Sequence, residues 1–158
     1  MHSEYLRDLF LNNLLSDGKF MVDGKPIALN DIKVPVFAVG TQKDHISPWK
    51  SVFKVHLFLD TDITFVLTSG GHNSGIVSEH GHPRRSFQIS THKKSSKQPS
   101  PDEWQMKTPH HKGSWWPAWE KWLVEHSLEK RLPPPMGSPK KGYKVLRNAP
   151  GVYVLKRT

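Results

Sequence analysis

Asp44 and His72, twenty-eight positions apart, are the residues of this 158-residue chain best placed to do chemistry together. Each follows a short apolar, β-branched run, Val34-Pro35-Val36-Phe37-Ala38-Val39 before the acid and Ile63-Thr64-Phe65-Val66-Leu67-Thr68 before the histidine. An acid and then a histidine, each just past a strand, are the acid and base of a nucleophile–histidine–acid triad. In that scheme His72 takes a proton from a nucleophile and returns it to the leaving group. Asp44 accepts a hydrogen bond from the other ring nitrogen, fixing the tautomer and stabilising the imidazolium. Gly70-Gly71 lets the backbone turn tightly beneath the histidine. The nucleophile is missing: the chain has no cysteine and no Gly-x-Ser-x-Gly or Gly-x-Cys-x-Gly turn. It is therefore expected to be the C-terminal part of an enzyme whose nucleophile is encoded elsewhere. Spacing alone leaves a plainer reading open, in which Asp44 caps a nearby helix and His72 is a polar loop residue.

The elements that must position this pair follow from the hydrophobic pattern. Residues 3–16 predict a helix, with Ser3 as cap, Tyr5, Leu6, Leu9, Phe10 and Leu14 on one face, and Gly18 at the exit. Residues 19–31 are polar around Gly24-Lys25-Pro26 and predict a hairpin or loop. The run 34–39 reads as a strand covered on both faces, with Pro35 tolerated near its start. Ser47 and Pro48 open a helix that places Trp49, Val52, Phe53, His56 and Leu59 on one face. Residues 63–68 form the next strand. Strand, helix, strand predicts a parallel pair with a right-handed crossover. Side chains at the carboxyl ends of such strands converge on one crevice.

The fold class expected is α/β, the C-terminal part of an α/β-hydrolase fold over residues 1–78. An irregular His/Lys/Pro-rich excursion is expected at 79–113, and a Trp-rich helix with a basic tail at 114–158. The helix should run from about Pro117 to Glu129 and bury Trp119, Trp122 and Leu123. Val152-Tyr153-Val154-Leu155 reads as strand-like.

Composition narrows the classes. Hydrophobic content is 35%, and no apolar run approaches the roughly 18–20 residues that span a bilayer. Met1-His2-Ser3-Glu4-Tyr5 lacks a basic region followed by an apolar stretch, so no signal peptide is expected. The absence of cysteine fits a reducing cytoplasm. Lys+Arg and Asp+Glu balance at 9 each over residues 1–90, so the net charge of +9 lies in residues 91–158. Such a segment attracts polyanions or a phosphate-bearing cofactor, or is a solvated surface. Among the ten histidines, His80-x-His82 and His110-His111 have ligand spacing, but neither cysteine nor a suitably spaced carboxylate supports them, and no metal is expected. Six tryptophans beside a basic tail could stack on nucleic acid. The spacing of Trp119 and Trp122 on one helix face argues for packing instead, and contact with a partner subunit stays open.

Several motifs together resemble the C-terminal region of polyhydroxyalkanoate synthases, particularly the short-chain poly-3-hydroxybutyrate type. They are His2-Ser3-Glu4-Tyr5-Leu6-Arg7-Asp8-Leu9-Phe10, Gly40-Thr41-Gln42-Lys43-Asp44-His45-Ile46-Ser47-Pro48-Trp49, Phe65 to Gly75, His111-Lys112-Gly113-Ser114-Trp115-Trp116-Pro117-Ala118-Trp119 and Ala149-Pro150-Gly151-Val152-Tyr153-Val154. They occur in the family's order along nearly the full length. The resemblance implies an α/β-hydrolase fold with a Cys-Asp-His triad. The cysteine attacks a 3-hydroxyacyl-coenzyme A thioester, and the polyester grows with release of coenzyme A. Asp44 and His72 match the family's acid and base, and His45 follows the acid as a possible supporting residue. No cofactor is implied beyond the coenzyme A of the substrate. The implied partners are the hydroxyacyl-coenzyme A, the polyester chain and the missing N-terminal half, with a homodimer open and no nucleic acid. The implied location is cytoplasmic, at or near polyester granules. Asn73-Ser74 replace small or apolar residues of the family pattern, and 78–86 keep only its basic pair and serine. Without its nucleophile the chain alone is expected to be inactive. The alternative is a non-catalytic interaction or scaffold module from a truncated synthase.

Overall fold

The computed structural model describes residues 1–94 and 96–156. The chain divides into two compact units, Met1–Glu125 and His126–Thr158. The first is built on a four-stranded mixed sheet.

β4 (Ile63–Thr68) is the centre of that sheet, and every one of its residues is buried. It pairs in parallel with β3 (Val36–Thr41), Val36 opposite Ile63 and Thr41 opposite Thr68. The crossover between them is helical, as the pattern predicts, but it is broken at Lys54 into α2 (Trp49–Phe53) and α3 (Val55–Phe58). Phe53 and His56 face inward. β3 forms one edge of the sheet.

The stretch 79–113 is not irregular. It holds β5 (Ser86–His92), α4 (Pro101–Lys107) and β6 (His110–Lys112). β5 pairs antiparallel with β4, and β6 antiparallel with β5. Among the described residues only β3–β4 is parallel, so the expectation of parallel strands holds for that pair alone. β5 hides from a hydrophobicity reading because one of its faces is polar yet buried. Gln88 is fully buried and donates through Nε2 to the carbonyls of Gln105 (2.7 Å) and Thr108 (2.6 Å). Ser90 accepts from the Trp104 indole at 2.7 Å. The Gln88 amide nitrogen is thus fully paired, while its buried Oε1 has no hydrogen-bond partner among the described residues, so the donor side of the amide offsets part of the cost of its burial. α4 does carry a start signal: Ser100 and Glu103 form a reciprocal capping box around Pro101.

Alternation along β4 divides the core between two faces. Phe65 and Leu67 meet Phe53 and Trp104 on one side. Val66 meets Phe87 and Trp115 on the other. α5 (Trp116–Glu125) covers part of this second face. Its burial differs from expectation: Trp119 and Leu123 are exposed, and Trp122 lies edge-on to Phe37 with ring centres 5.6 Å apart. The buried anchor is Trp115, one residue before the helix, where the chain turns back onto the sheet.

Near the N-terminus, α1 (His2–Tyr5) continues as a π-helix over Leu6–Leu11 and stops short of the predicted end. β1 (Phe20–Val22) and β2 (Lys25–Ile27) pair antiparallel, so of the hairpin and the loop that the turn residues allow, the hairpin forms. In the second unit, Tyr153–Leu155 is a 3-10 turn rather than a strand. A second 3-10 turn, Pro139–Lys141, lies beside an isolated bridge between Ser138 and Tyr143. No helix among the described residues is long and apolar enough to cross a membrane.

Candidate active site

The pairing of β3 with β4 runs on past the strand ends. Gln42 N–H donates to the Thr68 carbonyl and Lys43 N–H to that of Gly70, both at 2.9 Å. Two loops therefore leave the same edge of the sheet side by side. The first carries Asp44 and the second His72.

Asp44 Oδ2 accepts a hydrogen bond from His72 Nδ1 at 2.9 Å. The carboxylate is saturated with donors. Oδ1 accepts the backbone N–H groups of Ile46 (2.9 Å) and Ser47 (2.8 Å), and Oδ2 also faces the Thr41 hydroxyl at 3.4 Å. The Asp44 side chain is 8% exposed and that of His72 45%. The Ser47 N–H is the main cause that holds the Asp44 pKa down at about 2; burial opposes it, and the His72 hydrogen bond, the Ile46 N–H and the His72 charge act with it. The acid is thus an ionised, enclosed acceptor at neutral pH. With Nδ1 committed to it, Nε2 is the ring nitrogen left to exchange a proton, on the outward side of the pair. The helix-cap reading of Asp44 is not realised: α2 begins at Trp49 behind Pro48 with no side-chain cap bond, and Oδ1 instead closes the acid's own loop on the Ile46 and Ser47 N–H groups.

The backbone beneath the pair explains its glycines. Gly70 has φ +107°, which a side chain rarely adopts, and a Cβ there would lie 2.9 Å from the Arg85 guanidinium. Gly75 sits against β3: a Cβ would come within 2.6 Å of the Thr41 methyl. The His72 loop and the strand that leads to Asp44 are therefore in direct contact.

His45 is exposed and takes no part in the pair's hydrogen bonds. Of the other histidines, His56 and His92 lie edge-on with ring centres 5.6 Å apart. His80 lies 3.5 Å from Glu120, and His111 stacks on Phe87 at 5.2 Å. Among the described residues no three potential metal ligands come together. An open cleft of about 500 Å³, lined by Tyr5, Leu9, Leu14, Phe20 and Met21 among others, lies near the N-terminus and includes neither Asp44 nor His72. Thr41 and Gly75 belong to the site although sequence reasoning did not single them out. Gly75 could have been noticed as the third glycine within six residues.

Fold and site together define a mixed α/β chain with a carboxylate–histidine pair at the carboxyl edge of a parallel strand pair. No protein-family model matches the chain. Relatives do. The chain is 33% identical over 157 residues to the poly(3-hydroxyalkanoate) polymerase subunit PhaC of Rhizobium etli, covering 99% of this chain and 24% of that protein. It is 37% identical to the subunit of the same name from Rhizobium meliloti, covering 97% and 24%. It is 35% identical to that of Cupriavidus necator, covering 95% and 25%. The chain is homologous to a segment of the poly(3-hydroxyalkanoate) polymerases and spans about a quarter of the length of these relatives.

Proposed function

We propose that this chain supplies the acid and base of a polyhydroxyalkanoate synthase with an α/β-hydrolase fold, and that the nucleophilic cysteine comes from sequence outside these 158 residues. The observation that carries the reading is the 2.9 Å contact between Asp44 and His72 at one sheet edge. It is supported by similarity to polymerases along nearly the whole chain.

In this reading His72 takes the proton of the cysteine thiol through Nε2. The thiolate attacks the thioester carbonyl of a 3-hydroxyacyl-coenzyme A. The carbon–sulfur bond to coenzyme A breaks, and its sulfur leaves with a proton from the imidazolium. His72, neutral again, then deprotonates the hydroxyl of an incoming 3-hydroxyacyl-coenzyme A. Its oxygen attacks the acyl–cysteine thioester, the carbon–sulfur bond to the cysteine breaks, and the imidazolium returns the proton to the cysteine sulfur, leaving the polyester one unit longer. Asp44 stays ionised and stabilises the imidazolium throughout. The setting is the cytoplasm, at polyester granules, with the N-terminal half as the necessary partner.

The test is release of coenzyme A from 3-hydroxybutyryl-coenzyme A. The chain alone should show none. The chain combined with an N-terminal segment bearing the cysteine should show turnover that His72→Ala abolishes. Robust turnover by the chain alone, or turnover of the combined enzyme indifferent to His72, would overturn the reading. The second reading, a non-catalytic interaction module, is favoured by the lack of any cysteine in these 158 residues. It predicts no turnover in either preparation.

A further inference from the structure

His72 is nearly half exposed, so packing around its ring cannot by itself fix its position. Its backbone must. Within the loop, Gly75 N–H donates to the Gly71 carbonyl at 2.8 Å, and Ile76 and Val77 donate to that of Asn73 at 3.1 and 2.9 Å. These bonds shape the turn but do not tie it to anything else. Before the histidine, Lys43 N–H holds the Gly70 carbonyl at 2.9 Å; after it, the ties come from a segment about forty positions later. The Trp115 indole donates to the Gly75 carbonyl at 3.0 Å, and the Trp116 indole to the Ile76 carbonyl at 2.9 Å. The Ser114 hydroxyl donates to the Ser78 carbonyl and accepts the Trp116 N–H at 3.0 Å.

We propose that Trp115 and Trp116 are positioning residues for His72: two adjacent indole N–H groups clasp successive carbonyls of its loop and hold the imidazole on Asp44. This rests on the reading of His72 as the base.

Each side of the clasp is anchored. Trp115 is buried with Val66 and Phe87, and stacks on Phe37 with ring centres 6.2 Å apart. The Gly75 carbonyl is thereby tied to the core of the sheet. On its other side Gly75 meets Thr41, whose hydroxyl faces the Asp44 carboxylate. The loop is wedged between the tryptophan pair and the strand that leads to the acid. An apolar contact alone would accept many side chains at 115 and 116. A buried indole needs an acceptor for its N–H, and that directional requirement fixes the register of the loop. Gly113, with φ +94°, turns the chain out of β6 so that both rings reach back.

The experiment uses the full chain and needs neither nucleophile nor substrate. Long-range proton–nitrogen correlation spectra of His72 report the tautomer of its neutral ring. Amide exchange reports loop opening at 74–77. The wild-type chain should hold the Nδ1-protonated tautomer. Trp116→Phe keeps an aromatic ring but removes the donor. It should mix in the Nε2-protonated tautomer and speed exchange at Ile76 and Val77 roughly three- to tenfold, the worth of one hydrogen bond. Trp115→Phe should do the same at Gly75. If that variant does not fold, the half-buried Trp116 decides the matter. Trp104→Phe is the control, because it removes an indole donor to Ser90, a hydroxyl on the opposite face of the sheet. An unchanged tautomer in folded Trp116→Phe, or an equal shift in Trp104→Phe, would overturn the clasp. Because the spectra are read without acyl transfer, failure of the clasp and failure of the synthase reading are separate results.

Discussion

Asp44 is fixed by its own neighbours, whereas the loop of His72, joined to the acid's loop at Gly70, is tied down beyond the histidine by residues far along the chain. The acid's loop closes on itself: the carboxylate takes the N–H groups two and three residues ahead, and Thr41 stands three residues behind. The base's loop is held by Ser114, Trp115 and Trp116. A local hold depends on a short stretch of sequence and survives loss of distant contacts. A distant hold makes the geometry of the pair depend on how β5, α4 and β6 have folded between. The difference is expected to appear as different sensitivities to mutation on the two sides of one hydrogen bond.

The largest effect should come from the acid's charge. Asp44→Asn keeps the size and can keep a hydrogen bond, but it loses the charge and can favour the wrong histidine tautomer. In the combined enzyme, acyl transfer should fall by about four orders of magnitude, as when the acid of a serine-protease triad is changed in this way. The stability of the chain should change far less. A fall of less than about tenfold would mean that the pair is a structural contact.

Next is the point where the two loops touch. Gly75→Ala sets a methyl 2.6 Å from the Thr41 methyl. Overpacking of this kind costs about 1–3 kcal/mol, and here it should also push His72 from Asp44. Thr41→Ser in the same background removes the colliding methyl and should restore part of the loss in urea unfolding. Full additivity of the two changes would mean that they do not meet.

Ser100→Ala offers a contrast without involvement of either loop. Loss of the α4 capping box should cost about 1 kcal/mol. The His72 tautomer should stay as in the wild-type chain. A tautomer change there would show that the pair follows global stability rather than its own clasp.

The same contrast explains what was legible in the sequence. The acid's placement, the parallel pair and the crossover follow from runs of apolar residues and from turn residues within a few positions of one another. β4 is legible over its full extent because all six of its residues are buried and four are apolar. β5 was not, since its inward face includes Gln88 and Ser90, whose partners lie on α4 and the turn after it. Hydropathy cannot signal a polar residue buried against a helix that has not been located. The capping box at Ser100 was readable and would have located that helix. Trp119 and Leu123 were placed in the core by helical spacing, but the contact that seats the helix is made by Trp115, before its first turn. The two indole bonds to the His72 loop were beyond reach, because nothing in a pair of adjacent tryptophans names the carbonyls they meet.

The smallest effect is the most discriminating for the acid's side. The Asp44 pKa lies at about 2, below its ordinary 3.8. A carboxylate depressed by folding stabilises the folded state fully above its unfolded pKa, and that contribution is lost as pH falls through the folded value. The window for Asp44 is therefore from about pH 4 down to about pH 2, and nothing should change near neutrality. Carboxyl-carbon NMR titration of Asp44 should give a midpoint near 2. His72→Ala removes the imidazole but leaves the Ser47 and Ile46 donors in place. The midpoint should then rise only part of the way to 3.8, because the Ser47 N–H is the largest of the lowering causes. A full return to the ordinary value would show that the histidine, rather than the acid's own loop, sets the charge of this carboxylate, and the local hold on Asp44 would have to be given up.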